Sequence, residues 1–276
     1  MNRSELIDYF RTTGFHPSHR MGQNFLVDRN LAQKLVALAK VEPGSKVVEV
    51  GPGMGMITRA ILETGASLWT VEKDERLWHY LNARLQPEFP DQLRLLRGDA
   101  VQHPLAAAMP VAELTVIANP PFAITGPWLA AVLDAGFPRE MSLLLQKEAV
   151  DRLTARAGSK SYGVLPIRMQ AAYDVVATHA VPPQSFYPAP SIDSQIVLLR
   201  RKAEPVELPN RLITVMQALF QQRRKQMGSR LRSLLTEGER HTWEHVFERN
   251  GLTLQSRPEQ VPLDAWIMLA RLMETG

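Results

Sequence analysis

The stretch KVVEVGPGMG, residues 46–55, decides the fold of this chain. Its first half is rich in β-branched side chains and predicts a short buried strand. Three glycines at alternate positions follow directly, before a helical segment that runs to about residue 64. Glycines at a strand-to-helix turn allow a tight bend and let a ligand approach the backbone closely. By itself the pattern fits either a nucleotide site or an ordinary tight turn.

Further apolar runs along the chain predict that the strand at 46–50 is part of a larger sheet. Short apolar runs alternate with helical stretches of about ten residues, which is typical of a parallel α/β sheet. Two later β-rich runs with no full helix between them predict an antiparallel pair at the sheet edge. The predicted strands are 46–50, 67–71, 93–96, 114–119, 141–146, 173–180 and 195–200.

The pattern changes after residue 203, where a short linker leads into purely helical periodicity. We therefore predict two domains, an α/β domain over 1–203 and a helical domain over 204–276. The sequence contains no run of 18 apolar residues, so we expect no membrane span. The amino terminus lacks the pattern of a signal peptide. We expect a cytoplasmic protein that is a monomer.

The composition excludes several kinds of chemistry. The chain has no cysteine, so disulfides, thiolate metal sites and thiol nucleophiles are ruled out. Its seven histidines are scattered and have no ligand spacing with carboxylates, so we expect no metal.

Two carboxylates follow the next strands of the predicted sheet. Glu72 stands 21 residues after Gly51 and can accept hydrogen bonds from both hydroxyls of a ribose. Asp99 ends the third strand, where it can receive an adenine amino group. Nicotinamide dinucleotides and S-adenosylmethionine both match this arrangement, and no phosphate-binding P-loop is present.

The turn ANPPF, residues 118–122, separates these two cofactors. The side-chain oxygen of Asn119 and the carbonyl of Pro120 can each accept one N–H of an exocyclic amine. Phe122 can stack on a planar base, a contact that contributes about 1–3 kcal/mol. Hydride transfer has no use for such a turn, whereas N-methylation of a base does. We therefore predict S-adenosylmethionine as the cofactor and Asn119, Pro120 and Phe122 as catalytic residues.

A basic segment, residues 208–232, contains six basic residues and no acidic ones. The positive electrostatic field of such a segment favours binding to a phosphate backbone, although a solvent-exposed helix face could have the same charge pattern. We place the three consecutive basic residues 223–225 on a helix. The predicted RNA-binding residues are Arg20, Arg223, Arg224, Lys225 and Arg230.

Over nearly its whole length the sequence resembles the small-subunit rRNA adenine N6,N6-dimethyltransferases. The motifs that carry the resemblance are GQNFL (22–26), EVGPG (49–53), Glu72, GDA (98–100), NPPF (119–122), LQKEAV (145–150), Tyr162-Gly163, the proline-rich segment 182–190 and Phe220 with 223–225.

The resemblance implies a seven-stranded, Rossmann-like methyltransferase sheet with a small all-helical carboxyl-terminal domain. It implies dimethylation of two adjacent adenines in a hairpin near the 3′ end of 16S rRNA, within the immature small subunit, as a step of ribosome biogenesis. The cofactor-binding residues that it implies are Asn24, Leu26, Gly51, Gly53, Glu72, Asp99, Ala100 and Asn119.

One motif departs from the pattern. The family usually has Asn-Leu-Pro-Tyr or Asn-Ile-Pro-Tyr where this chain has Pro120 and Phe122. The departure leaves open whether each adenine receives one methyl group or two. Two alternatives to the small-subunit enzyme also stay open: a large-subunit rRNA adenine methyltransferase, and a non-catalytic RNA-binding assembly factor on the same scaffold, which a decayed glycine loop or Asn119 would mark.

Overall fold

A computed structural model of the chain describes residues 3–18 and 22–274. The strands are β1 (Phe25–Leu26), β2 (Lys46–Val50), β3 (Ser67–Glu72), β4 (Leu93–Arg97), β5 (Thr115–Ala118), β6 (Glu140–Gln146), β7 (Tyr173–Val181), β8 (Phe186–Tyr187) and β9 (Ser194–Arg201). The helices are α1 (Arg3–Thr13), α2 (Arg29–Leu38), α3 (Met56–Leu62), α4 (Glu75–Arg84), α5 (Thr125–Ala135), α6 (Lys147–Leu153), α7 (Val164–Ala172), α8 (Asn210–Phe220), α9 (Gly228–Leu234), α10 (Glu237–Arg249) and α11 (Leu263–Glu274).

Seven strands form one sheet in the order β4-β3-β2-β5-β6-β9-β7. The pairs from β4 to β6 are parallel, and β9 pairs antiparallel with β6. Each predicted strand lies within one residue of an observed one at both ends. The central strands β2, β5 and β6 are buried on both faces of the sheet. Such strands appear in the sequence as continuous apolar runs and are therefore easy to locate. The predicted α/β fold is confirmed.

The first 27 residues contain structure that the sequence pattern did not predict. Helix α1 buries only Leu6 and Phe10, too few to show helical periodicity. The ring of Phe10 stacks on Phe15 with centroids 4.8 Å apart and meets Phe25 edge-on at 5.4 Å. Strand β1 is two residues long and pairs with β8, about 160 residues further along the chain. Both elements depend on long-range contacts, which local periodicity does not encode.

The chain forms two compact units, Met1–Val150 with Asp174–Arg201, and Asp151–Tyr173 with Lys202–Gly276. The second unit is helical and includes residues between β6 and β7 that we had assigned to the first domain. Tyr162 and Ile167 from this segment belong to the same core as Trp243 and Trp266. The functional boundary at 203/204 stays a prediction, and the compact units divide the chain differently.

The three consecutive basic residues 223–225 are not on a helix, so that prediction was wrong. Helix α8 ends at Phe220, and these residues lie in the turn before α9. The backbone N–H of Gly228 donates to the carbonyl of Leu254 at 2.8 Å, and a Cβ on Gly228 would lie 3.2 Å from Leu254 Cβ. This close packing fixes where α9 begins and forces the chain to turn beforehand.

Arg223 is an internal anchor of the second unit. Its guanidinium pairs with Glu259 at 2.7 Å, and it also donates to the carbonyls of Ser159, at 3.1 Å, and Lys160. Its side chain is 31% exposed. Hydrogen bonds to a charged group in such a place contribute about 1.5–3 kcal/mol.

We expect Arg223→Ala to lower the melting temperature by several degrees, since each kcal/mol corresponds to roughly 2–4 °C in a chain of this size. Arg224→Ala is the matched control, because Arg224 is exposed and has no partner among residues 3–18 and 22–274. Calorimetry on both variants measures the difference. Equal melting temperatures would contradict the anchoring role.

Candidate active site

The glycine loop after β2 lies against the turn after β5. Gly51 and Gly53 have φ angles of +69° and +57°, a region that disfavours other residues. A Cβ on Gly51 would lie 3.3 Å from the carbonyl oxygen of Asn119, and one on Gly53 would lie 3.1 Å from the ring of Phe25. Both positions therefore need glycine for conformation and for space.

A cavity of about 520 Å³ opens at the carboxyl ends of these strands, where ligands bind in open α/β sheets. All ten residues that we predicted to bind cofactor or to act in catalysis line this one cavity. They are Asn24, Leu26, Gly51, Gly53, Glu72, Asp99, Ala100, Asn119, Pro120 and Phe122. Their common location supports the predicted roles, which remain predictions.

Glu72 is held at the end of β3 with 7% of its surface exposed. It accepts hydrogen bonds from the backbone N–H of Asp74 at 2.8 Å and of Gly53 at 3.3 Å. Burial raises the pKa of this carboxyl to about 7, against the opposing effect of the two N–H donors. The carboxyl is thus oriented by backbone groups on both sides and faces the cavity.

Glu49 lies deeper, 1% exposed, and receives a hydrogen bond from the hydroxyl of Thr58 at 2.7 Å. Its other oxygen, Oε1, is buried without a partner among the residues that the structure describes. Burial, with a smaller contribution from the charge of Glu72, raises the pKa of Glu49 to about 8. The protonated form is therefore favoured in the folded chain.

Asp99 follows β4 and is more accessible. Its carboxylate accepts from the ammonium of Lys73 at 2.8 Å and from the backbone N–H of Val101 at 2.8 Å. The Lys73 ammonium holds the pKa of Asp99 below its ordinary value. A carboxylate has about four lone-pair sites, so Asp99 can accept a further amino group beside these two donors.

Sequence reasoning missed the network that fixes the GQNFL segment over the cavity. Gln23 accepts from the N–H of Ser18 at 2.8 Å and donates to Asp74 at 3.0 Å. Asp74 also accepts from Arg76 at 2.7 Å, and the Arg76 guanidinium lies 4.4 Å from the ring centroid of Phe15. The Arg76 guanidinium keeps the pKa of Asp74 low. No local pattern reveals this link, since Gln23 and Asp74 are 51 residues apart.

Asn119 directly follows β5 and is half-buried in the cavity wall. Its side-chain amide makes no hydrogen bond within residues 3–18 and 22–274. The N–H of Ile124 donates to the carbonyl of Pro121 at 3.0 Å and starts a short 3-10 turn that contains Phe122. The turn leaves the amide of Asn119 and the ring of Phe122 available to a ligand.

The predicted RNA-binding residues fall into different environments. Arg223 is engaged inside the second unit, whereas Arg224 and Lys225 are exposed and have no partner in the described part of the chain. Arg230 is half-buried, and its Nε lacks a partner there. Arg20 lies outside the described residues.

Residues 14–270 match the model of the ribosomal RNA adenine dimethylase family. The chain belongs to this family. It is 44% identical over 255 residues to the ribosomal RNA small subunit methyltransferase A of Opitutus terrae, covering 92% of each sequence. It is also 35% identical to the protein of the same name from Thermosynechococcus vestitus, covering 92% of this chain and 96% of that one.

Solved structures share the fold. A dimethyladenosine transferase from Plasmodium falciparum superposes with a TM-score of 0.71 at 21% identity, covering 91% of this chain and 98% of that one. The 23S rRNA methyltransferase ErmE superposes with a TM-score of 0.63 at 22% identity, covering 91% and 100%. The family confirms the resemblance seen in the sequence, and with it the enzyme class and S-adenosylmethionine as methyl donor.

The cavity fits this cofactor. The buried Glu72 is a hydrogen-bond acceptor where the ribose would lie, and Asp99 is an acceptor for the adenine amino group. The backbone of Gly51 lines the cavity where the methionine part would lie. Among the described residues, no group of three His, Asp or Glu could hold a metal ion. None of the described helices is long and apolar enough to cross a membrane.

The raised pKa values of Glu49 and Glu72 lie above the ordinary value of 4.5, so the folded chain binds more protons than the unfolded chain between about pH 4.5 and 8. The free energy of unfolding therefore falls as pH rises through this range. We expect the melting temperature of the cofactor-free protein to fall from pH 5 to pH 8.

Glu49→Gln should flatten this fall, because the amide stays neutral at every pH. Thermal melts of both proteins across the range measure the two slopes. Glu88→Gln is the control, since Glu88 lies at the surface in an ion pair with Arg59. Equal slopes in wild type and Glu49→Gln would contradict the assignment.

Proposed function

We propose that this protein transfers methyl groups to N6 of two adjacent adenines in a hairpin near the 3′ end of small-subunit rRNA. One observation carries the proposal: the unengaged Asn119 amide lies in the wall of the cavity that contains Glu72, Asp99 and the glycine loop. The small-subunit names of its relatives favour this substrate over large-subunit rRNA. An intact glycine loop and Asn119 oppose a purely non-catalytic role.

The chemical obstacle is the weak nucleophilicity of the adenine amino group, whose lone pair is delocalised into the ring. S-adenosylmethionine supplies an electrophilic methyl group on a sulfonium. The Oδ1 of Asn119 and the carbonyl of Pro120 would each accept one N–H of the amine and draw the nitrogen toward tetrahedral geometry. The lone pair then becomes available, and the proton leaves after transfer. The protein contributes position and preorganised acceptors rather than a strong base.

The replacement of the usual motif by Pro120 and Phe122 bears on the second methylation. The acceptor at Pro120 is a carbonyl, which proline retains. Phe122 keeps the stacking face that tyrosine would offer and lacks the hydroxyl. We propose that the chemistry survives and that both adenines receive two methyl groups, which requires the monomethyl product to rebind or rotate in the pocket.

The target adenine must leave its stack to reach the cavity, and this costs a few kcal/mol, least in a loop. That cost favours a hairpin loop over a duplex. We propose that the enzyme acts as a monomer in the cytoplasm, on the immature small subunit.

The direct test incubates the protein with labelled S-adenosylmethionine and, in separate reactions, small subunits that lack the modification and unmodified large subunits. Nucleoside analysis by mass then separates N6-methyladenosine from N6,N6-dimethyladenosine. Dimethyladenosine in the small-subunit rRNA supports the proposal. Label in large-subunit rRNA alone, or no label in either subunit, would refute it.

We expect Asn119→Ala to lower the rate of methyl transfer by at least about 10²-fold, the usual effect of removing one preorganised polar group at a reacting centre. Binding of S-adenosylmethionine should change much less, because Glu72, Asp99 and the glycine loop remain. Single-turnover rates and calorimetric binding measure the two effects. Substantial activity in Asn119→Ala would eliminate the mechanism.

We expect Arg224→Ala with Lys225→Ala to weaken RNA binding and to make its salt dependence shallower, by about 1.4–1.8 in the log–log slope for two lost phosphate contacts. Arg223 is left intact because it stabilises the second unit. Filter binding at several salt concentrations measures the slope. Lys34→Ala with Arg84→Ala, which removes two basic residues of the first unit, is the charge-matched control. An unchanged slope in the test variant would show that Arg224 and Lys225 do not contact the RNA backbone.

A further inference from the structure

A second cavity, of about 300 Å³, adjoins the candidate active site. It shares Gly22, Gln23, Asn24 and Phe122 with the larger cavity. The rest of its wall comes from Pro17, from the segment 188–192 and from Gln146 at the end of β6. Because Phe122 lines both cavities, a base that stacks on this ring would extend into the smaller one.

The wall of the smaller cavity is firmly held. Gln146 pairs with Ser194 in the β6–β9 register, and the N–H of Lys147 donates to the carbonyl of Asp193 at 2.9 Å. The segment that precedes β9 contains Pro188 and Pro190, whose rings restrict the backbone. The backbone that carries the polar side chains of this wall is therefore held firmly by the β6–β9 pairing.

Gln146 is the polar group on this wall that can both donate and accept through one planar amide. It is half-buried, and its side chain makes no hydrogen bond in the part of the chain that the structure describes. Of the other two amides in this cavity, Gln23 is committed to Ser18 and Asp74, and Asn24 donates to the carbonyl of Gly22 at 3.4 Å. The donors and the acceptor of the Gln146 amide are therefore uncommitted within the described part of the chain and available to a ligand.

We propose that Gln146 recognises the target adenine by donating from Nε2 to a ring nitrogen beside the amino group, N1 or N7. This inference rests on the proposed function. The two amino hydrogens are taken by Asn119 and Pro120, so a ring nitrogen is the acceptor left on the base edge. Guanine is rejected at the two acceptors, Asn119 and Pro120, because it presents O6 to them in place of an amino group. A donor from Gln146 to N1 adds to this discrimination, because N1 of guanine carries a hydrogen, whereas a donor to N7 fixes the orientation of the base. Glutamine and asparagine amides are common partners of adenine edges, and prolines and Phe122 supply the apolar faces for a flipped base.

The test compares wild type, Gln146→Leu and Gln146→Glu, the last of which keeps the size and loses the donor. Gln33→Leu, on the exposed face of α2, is the matched control. The substrate is immature small subunits, and the readouts are kcat/KM and S-adenosylmethionine affinity. We expect both Gln146 variants to lose about 10–100-fold in kcat/KM, in the range of one base-edge contact. Cofactor affinity and the activity of Gln33→Leu should stay within twofold of wild type.

A second measurement separates recognition from a structural role. Subunits reconstituted with 1-deazaadenosine or 7-deazaadenosine at the target positions lack one ring acceptor each. Wild type should lose activity on one analogue, and Gln146→Leu should show no additional loss on that analogue.

Additive losses, or a loss of cofactor affinity in both Gln146 variants, would overturn the inference. So would full activity of Gln146→Leu while wild type still forms dimethyladenosine. If wild type methylates no adenine in unmodified subunits, the proposed function itself fails.

Discussion

The contact between the glycine loop and the backbone of Asn119 is the constraint on which the candidate site depends. The parallel register of β2 and β5 places Val50 opposite Ala118, so the chain leaves both strands side by side. Gly51 then lies against the carbonyl of Asn119, at a distance that a side chain would obstruct. The loop that would hold the cofactor and the turn that would hold the amine are thereby fixed relative to each other by the sheet itself.

The ionisation and the orientation of the carboxyl groups around this contact are set by their surroundings. Glu49, in β2, and Glu72, at the end of β3, are both buried, and the charge of Glu72 disfavours ionisation of Glu49. Glu72 is oriented by N–H donors from Gly53 and Asp74, whereas Asp99 is exposed enough to remain ionised beside Lys73. One carboxyl is therefore preorganised by the backbone and the other by a neighbouring charge.

Most of the sheet and the cavity could be predicted because both follow from local patterns. Buried parallel strands are continuous apolar runs, and their carboxyl ends meet at one edge, so Glu72, Asp99 and Asn119 had to lie near one another. Helix α1, the pair of β1 with β8 and the bond between Gln23 and Asp74 depend on partners far away in sequence. Charge pattern also did not reveal the internal role of Arg223, because a cluster of basic residues does not show that one of them is paired with Glu259. Gln146 belongs to the LQKEAV motif that carries the family resemblance, but a glutamine at a strand end indicates no role in the site until the cavity beside it is seen.

The segment 151–173 has a further consequence for how this protein can be divided. The chain enters the helical unit after Val150, leaves it before Asp174 and returns after Arg201. A truncation at residue 203 would leave Tyr162, Ile167 and Ala171 on the remaining piece without the core that buries them. The helical unit is therefore interleaved with the α/β unit along the chain, and no single cut separates the two.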